Sequence, residues 1–278
     1  MIKGERRVKD LIKNVAKGDS GKAQRLQRHY AMERFLERMA LSDFHDKMIL
    51  KGGMLVSSIV GLDARSTMDI DATCKGFTLD LESASRMVKE IAQVSLDDDM
   101  TFDVGAAQEI MEDSEYGGVR IPLVAHLGKS RIPLKIDIST GDAITPSEVD
   151  YEFGLMFEER TIRILTYSIE TLLAEKLETV LSRSVNNTRP RDFYDIFVLA
   201  ELGYPQDRAL FSQAFANTCS KRDTMIDAGA ARSTFELIRK SVPMEDRWIR
   251  FGRDFDYASE IGWPEALDAT VGLFEATV

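Results

Sequence analysis

Two cysteines in 278 residues, Cys74 and Cys219, exclude a disulfide framework and fit a reducing compartment. No apolar run reaches the length of a membrane span, and residues 1–20 are too polar for a signal peptide, so the expectation is a cytoplasmic protein with no membrane partner. Internal repeats and low-complexity tracts are missing too, which excludes solenoids and disordered arrays. Positive charge is in deficit: the formal net charge is −10, and blanket binding to a phosphate backbone needs a surplus of Lys and Arg. That deficit is uneven, because residues 1–38 carry eleven Lys/Arg against five Asp/Glu. An end of that kind suits RNA or an acidic partner, or is a solvated helix face. What is present, 44% hydrophobic and 29% charged residues, is the composition of a globular chain long enough for one large or two modest domains.

The chain is organised around residues 50–73. Met48-Ile49-Leu50 reads as a short strand feeding Gly52-Gly53, which opens an apolar helix. Asp69-Ile70-Asp71 then falls in the next strand. Residues two apart in a strand share a face, so Asp69 and Asp71 present two carboxylates together. Such a pair repels itself unless a cation intervenes. Magnesium takes hard oxygen ligands and completes its shell with substrate phosphates, and a helix N-terminus reached through glycines offers N–H groups to the same phosphates. Together the two halves describe a nucleoside-triphosphate site. Separately, Gly-Gly is only a turn and Asp-x-Asp only a solvated strand end.

Downstream, a helix over 83–94 and strands at 102–104, 119–125 and 132–138 follow, with turns at Tyr116-Gly117-Gly118 and Leu127-Gly128-Lys129-Ser130. Pro122 and Pro133 suit strand starts or edges. In the last strand Lys135, Asp137 and Ser139 share one face. Beside the Asp-x-Asp strand, Asp137 would be a third carboxylate for two-metal phosphoryl transfer. Alternatively it is a strand-end aspartate paired with Lys135 or Arg131. Upstream, residues 3–17 predict a helix ending near Gly18, and Asp19 or Ser20 caps a second that runs to Ala40. Its stripe is Leu26, Tyr30, Met32, Phe35, Leu36 and Met39, with Arg25, Arg28, Arg34 and Arg38 off it.

From Tyr167 the chain becomes helical. Ser168 caps a helix whose stripe, Ile169, Leu172, Leu173, Lys176, Leu177, Val180 and Leu181, is apolar except for Lys176. A lysine there needs an anion or must snorkel; the functional reading is an ammonium for a triphosphate. Pro190 fits the first turn of the next helix, where Asp192 and Asp195 share a face and can hold Lys176 or an arginine in position. Helices are expected over 206–220, 230–241 and 264–275. Arg247, Arg250 and Arg253 with Trp248 and Phe251 interleaved suit RNA, or pack their aromatics inward.

Four separated motifs, Leu50-Lys51-Gly52-Gly53 with Arg65-Ser66-Thr67-Met68-Asp69-Ile70-Asp71, then Lys135-Ile136-Asp137, then Ala174-Glu175-Lys176-Leu177 with Arg183, then Arg191-Asp192-Phe193-Tyr194-Asp195, resemble in order those of the AbiEii/AbiGii toxin family of nucleotidyltransferase-like proteins. The resemblance spans roughly residues 30–200. It implies an α+β fold, a nucleotidyltransferase-like mixed sheet flanked by helices and followed by a C-terminal helical lobe, with the site in the cleft between. The domains expected are N-terminal helices over 1–46, a core over 47–165 and a helical domain over 166–278. Carried over by residue, Asp69 and Asp71 bind Mg2+ with Asp137 beside them; Lys176 contacts nucleotide phosphates; Asp192 is needed for activity. Lys51, Gly52, Gly53, Arg65 and Thr67 complete the nucleotide site, Thr67 being where some members are proposed to carry an inhibitory phosphoryl group. One departure stands out. A Ser or Thr commonly follows the second glycine, and this chain has Met54.

The function the resemblance implies is that of a toxin in a bacterial toxin–antitoxin pair, transferring nucleotides from an NTP to an acceptor, expected to be a tRNA 3′ end. A cognate antitoxin is the implied protein partner. Two alternatives stay open: an NTP-binding module that has lost chemistry, which Met54 favours, and a nucleotidyltransferase acting on a small molecule.

Overall fold

The computed structural model describes residues 2–76, 78–110 and 117–277. The chain divides into two compact units, Met1–Gly141 with Val149–Thr166, and Asp142–Glu148 with Tyr167–Val278. The first is α+β, and the second, among the described residues, is helical. Among the described residues no helix is long and apolar enough to cross a membrane. Cys74 and Cys219 are free and buried.

In the first unit α1 (Glu5–Ala16) turns Val8, Ile12 and Ala16 inward and stops where Lys17 adopts a left-handed conformation. Asp19 then opens α2 (Ser20–Ala40) by accepting from the Lys22 N–H at 2.9 Å, satisfying one of the unpaired donors of a helix start. The expected apolar stripe of α2 is buried. So, against expectation, are Arg34 and Arg38. Each has its own carboxylates: Arg38 forks Asp98 at 2.7 and 2.8 Å and donates to the Met100 carbonyl at 2.7 Å, and Arg34 meets Glu37 at 2.9 Å and Glu158 at 3.1 Å. A guanidinium is buried only when paired in this way, so part of the N-terminal positive excess is neutralised inside the fold.

Glu158 also receives Arg160 at 2.8 Å. Burial pushes the Glu158 carboxyl up, but the Arg160 and Arg34 guanidiniums prevail and hold it at about 2, below its ordinary 4.5. A carboxyl depressed by folding stabilises the native state fully above its unfolded pKa, and that contribution is lost as pH falls through the folded one. Arg160→Met is therefore expected to lower the melting temperature at pH 7. The gap to the parent should narrow as pH drops from 4.5 toward 2; calorimetric melts across that range check it.

The sheet has eight strands among the described residues: β1 (Met48–Lys51), β2 (Ile70–Cys74), β3 (Met100–Val104), β4 (Gln108–Ile110), β5 (Gly118–Leu127), β6 (Ser130–Thr140), β7 (Val149–Gly154) and β8 (Thr161–Thr166). Their order is β3-β5-β6-β2-β1-β8-β7, with β4 added to β5. β1 with β8 and β2 with β6 run parallel; the other pairs are antiparallel. Helix α3 (Gly52–Val60) joins β1 to β2, and α4 (Leu81–Gln93) follows β2. Ile70, Ala72 and Cys74 of β2 and Ile132, Leu134, Ile136 and Ile138 of β6 are buried on the face that α2 and α4 cover. Strand alternation therefore sends Asp71, Lys135, Asp137 and Ser139 to the opposite face.

Pro122 and Pro133 stand inside strands rather than at their starts. Pro122 is tolerated in the twice-paired β5 because β3 ends at the Val104–Leu123 pair and β4 pairs up to Arg120. Its missing N–H falls in that gap, while its carbonyl accepts from Gly105 at 2.8 Å. Pro133 precedes the stretch of β6 that pairs with β2, which starts at Ile136. The β7–β8 hairpin was not expected from the sequence, and the Tyr116 end of one expected turn lies outside the described residues.

The second unit holds α5 (Ile169–Arg183), α6 (Pro190–Glu201), α7 (Arg208–Lys221), α8 (Ala228–Arg239), α9 (Val242–Asp254) and α10 (Trp263–Glu275). Ser168 caps α5, accepting from the Thr171 N–H at 3.1 Å, and Pro190 opens α6. Trp248 and Phe251 are buried, with the Trp248 ring 5.9 Å from that of Trp263. The aromatics of the arginine-rich stretch are thus core residues of α9 and offer no stacking platform.

Candidate active site

Between β1 and α3 the backbone turns at Gly52 with φ +67°, a left-handed conformation that favours glycine. A Cβ at Gly52 would lie 2.2 Å from Asp71 Oδ2, and one at Gly53 would lie 2.8 Å from Thr67 Oγ1 and 2.9 Å from an Arg65 Nη. Two glycines therefore let the turn run against Asp71, Thr67 and Arg65. The Gly53 N–H donates to the Asp71 carboxylate, so Asp71 rests on the positive end of α3. Met54 is fully buried: the residue after the second glycine points into the core, and the hydroxyl that stands against Gly53 belongs to Thr67. Gly52→Ala is expected to cost about 1–2 kcal/mol for the left-handed backbone, more for the overlap with Asp71, and to lower the urea midpoint accordingly.

Asp69 lies immediately before β2 and Asp71 within it. In the parallel register Asp71 stands opposite Asp137, and in the antiparallel one opposite Lys51. Burial, with the Asp137 and Asp69 carboxylates nearby, pushes the Asp71 carboxyl above its ordinary range. Lys135 Nζ sits 3.0 Å from Asp69 Oδ2 and 3.9 Å from Asp137 Oδ2. Asp137 is held by a fork from Arg120, Nε to Oδ1 at 2.8 Å and Nη2 to Oδ2 at 2.6 Å. Arg120 escaped the reading of the sequence, although the turn that sets Leu127 opposite Ser130 also sets Arg120 opposite Asp137.

Among the described residues no group of three or more His, Cys, Asp or Glu side chains is gathered as a metal cage. The donor set nevertheless fits magnesium in its substrate-assisted form: hard carboxylate oxygens from Asp69 and Asp71, mutually repelling, with phosphates left to complete the shell. Asp137 stands beside them with both oxygens engaged by Arg120.

Lys176 and Asp192 belong to the second unit. Lys176 Nζ lies 3.0 Å from Asp192 Oδ1 and 2.7 Å from Asp195 Oδ2, the pairing that the i, i+3 spacing of the two aspartates allows. Asp195 is fully buried, and Asp192 Oδ2 is buried with no hydrogen-bond partner among the described residues. The preceding Glu175 is fixed by Arg222 at 3.2 Å, and the Tyr167 hydroxyl donates to Asp142 at 2.5 Å. Together these contacts set the rotation of α5 that presents Lys176 to α6.

Residues 34–272 match the family described as Nucleotidyl transferase AbiEii toxin, Type IV TA system. Among solved structures the chain is similar to a protein from H. pylori provisionally designated a nucleotidyltransferase, with a TM-score of 0.56 and 16% identity over 91% of this chain and 95% of that one. It is also similar to JHP933 from Helicobacter pylori, with a TM-score of 0.51 and 18% identity over 91% and 92% of the two chains. At these identities the structural likeness establishes the fold. Among curated proteins none matches the chain.

Proposed function

The chain belongs to the nucleotidyltransferase AbiEii toxin family of type IV toxin–antitoxin systems, and from that premise we propose that it transfers a nucleotidyl group from a magnesium-bound nucleoside triphosphate to the 3′ hydroxyl of a tRNA. The family brings with it an antitoxin partner and the use of an NTP. The observation that carries the reading is the meeting of the glycine-opened N-terminus of α3 with the acidic end of β2, where the Gly53 N–H already holds the Asp71 carboxylate.

In the reaction, the acceptor oxygen forms a bond to the α-phosphorus and the bond from that phosphorus to the β-phosphate oxygen breaks. Pyrophosphate departs with the electron pair, and the acceptor proton passes to solvent or a nearby carboxylate. Asp69 and Asp71, with Asp137 beside them, would hold magnesium, which would neutralise triphosphate charge and acidify the attacking hydroxyl. The protein's own share is positioning and charge. The first turn of α3, with Lys51, Gly52, Gly53, Arg65 and Thr67, seats phosphates; Thr67 supplies the hydroxyl that Met54 lacks. The resemblance to the family gives Lys176 a phosphate-contacting role. Asp192 and Asp195 hold its ammonium in one orientation.

The test is to incubate the protein with each α-labelled NTP, magnesium and total tRNA. A labelled RNA band with at least one NTP is the expected result; no labelled RNA with any of the four overturns the proposal. A nucleotide-binding module without chemistry predicts retained nucleotide and no labelled product. A mass shift on a small hydroxyl or amine compound, with none on RNA, would instead point to a small-molecule acceptor.

A further inference from the structure

The corner that carries the candidate metal ligands already holds its own cations. Against the three carboxylates of Asp69, Asp71 and Asp137 stand Lys135 on Asp69, Arg120 on Asp137 and Lys51 opposite Asp71, with Arg65 at the Gly53 turn. A free divalent ion arriving there meets no surplus of negative charge, and it must displace a resident cation without compensation. An ion arriving with a polyphosphate brings net negative charge, so a displaced cation finds a new partner at once.

The two closest basic groups differ in how easily they let go. Arg120 grips Asp137 through two parallel hydrogen bonds at 2.8 and 2.6 Å, a preorganised fork. Lys135 has one contact of hydrogen-bond length, 3.0 Å to Asp69, and a longer approach of 3.9 Å to Asp137. It is also a point charge on a flexible four-carbon stem. Lys135 is the group that moves.

We propose that Lys135 is a resident counter-cation, occupying at Asp69 the place of a divalent ion and yielding it only when that ion arrives with a triphosphate, whose oxygens the ammonium then takes. The site therefore binds metal as a metal–polyphosphate complex and discriminates against the free ion. The proposal rests on the reading of Asp69 and Asp71 as metal ligands. Lys135 is a positioning and selectivity residue, and the signature expected of it is in metal binding, whatever the acceptor.

Equilibrium dialysis of the full chain against radioactive Mn2+, alone and with inorganic tripolyphosphate, tests it. In the parent, tripolyphosphate is expected to strengthen manganese retention at least about tenfold, on the scale by which groups around a metal site tune its affinity. Lys135→Met should bind Mn2+ alone about tenfold more tightly than the parent and lose most of the gain from tripolyphosphate. Lys135→Gln should behave likewise and Lys135→Arg like the parent, with circular dichroism melts establishing that each is folded. Asp71→Asn should abolish retention in every case. If the parent shows Asp71-dependent retention but Lys135→Met and Lys135→Gln bind free Mn2+ no better than it does, the counter-cation role is wrong and the metal site stands. If no Asp71-dependent retention appears with or without tripolyphosphate, the metal reading itself fails and takes this inference with it.

Discussion

Asp71→Asn is expected to lower nucleotide transfer by about 10²–10³-fold or more, the loss typical of removing one preorganised charge-stabilising group, while making the protein more stable. The two effects have one cause. Folding withdraws the Asp71 carboxylate partly from water and brings it close to Asp137 and Asp69, which raises its pKa. A carboxyl raised by folding binds its proton more tightly in the native state, so stability falls as pH rises from its ordinary 3.8 through the raised value, and the full penalty is present above that value. Asparagine is uncharged at every pH and keeps an oxygen for the Gly53 N–H. In metal-free solution at pH 7 the variant should gain about 0.5–2 kcal/mol, the usual range for relieving an unfavourable arrangement at a functional site. Its advantage should shrink as the pH is lowered. Paired melts and transfer assays check both halves; a variant that is less stable at neutral pH, or one that still transfers nucleotide, would contradict the account.

The features that the sequence made legible are those carried by short-range periodicity. Asp71 on β2, Lys135, Asp137 and Ser139 on one face, and Lys176 on the stripe of α5 each follow from a period of two or 3.6 residues; Asp69, expected in the same strand as Asp71, falls just before it. Long-range partners did not follow. Arg38 is buried because Asp98 stands 60 residues on, and Arg34 because Glu158 stands 124 residues on. Nothing local to α2 announces either carboxylate, so both arginines looked like surface residues. Pro122 is permitted by the interval between two partner strands, a property of the sheet rather than of β5. The β7–β8 hairpin hides for another reason: Phe153, Ile162 and Ile164 are buried, but the alternation runs through only six residues in each strand, interleaved with charged side chains. Arg120 lies between these cases, since it needed only the β5–β6 turn to be counted back along both strands.

Lys176→Ala is expected to destabilise the second unit by about 3–5 kcal/mol, the range for breaking a buried ion pair by removing one member. Asp195 is fully buried with the Lys176 ammonium at 2.7 Å, and Asp192 shares that ammonium at 3.0 Å. An inactive Lys176→Ala protein would therefore not separate a lost phosphate contact from a lost fold. The informative variant is the double change Lys176→Met with Asp195→Asn, which removes the ammonium and one of the charges it balances while conserving volume. Replacing a buried ion pair by groups of similar size is commonly close to neutral, so the double variant should recover part of the melting temperature lost by Lys176→Ala, the remainder being the cost of leaving Asp192 without its ammonium. The coupling between the two positions, measured as a double-mutant cycle in urea, should be large because they are in direct contact. If the ammonium neutralises charge on the departing pyrophosphate, this stable double variant remains inactive, with label incorporation down by about 10²-fold or more. If it is stable and transfers nucleotide at the parental rate, Lys176 serves only to bind α5 to α6, and the cation for pyrophosphate must be sought among Lys51, Arg65 and Lys135 of the first unit.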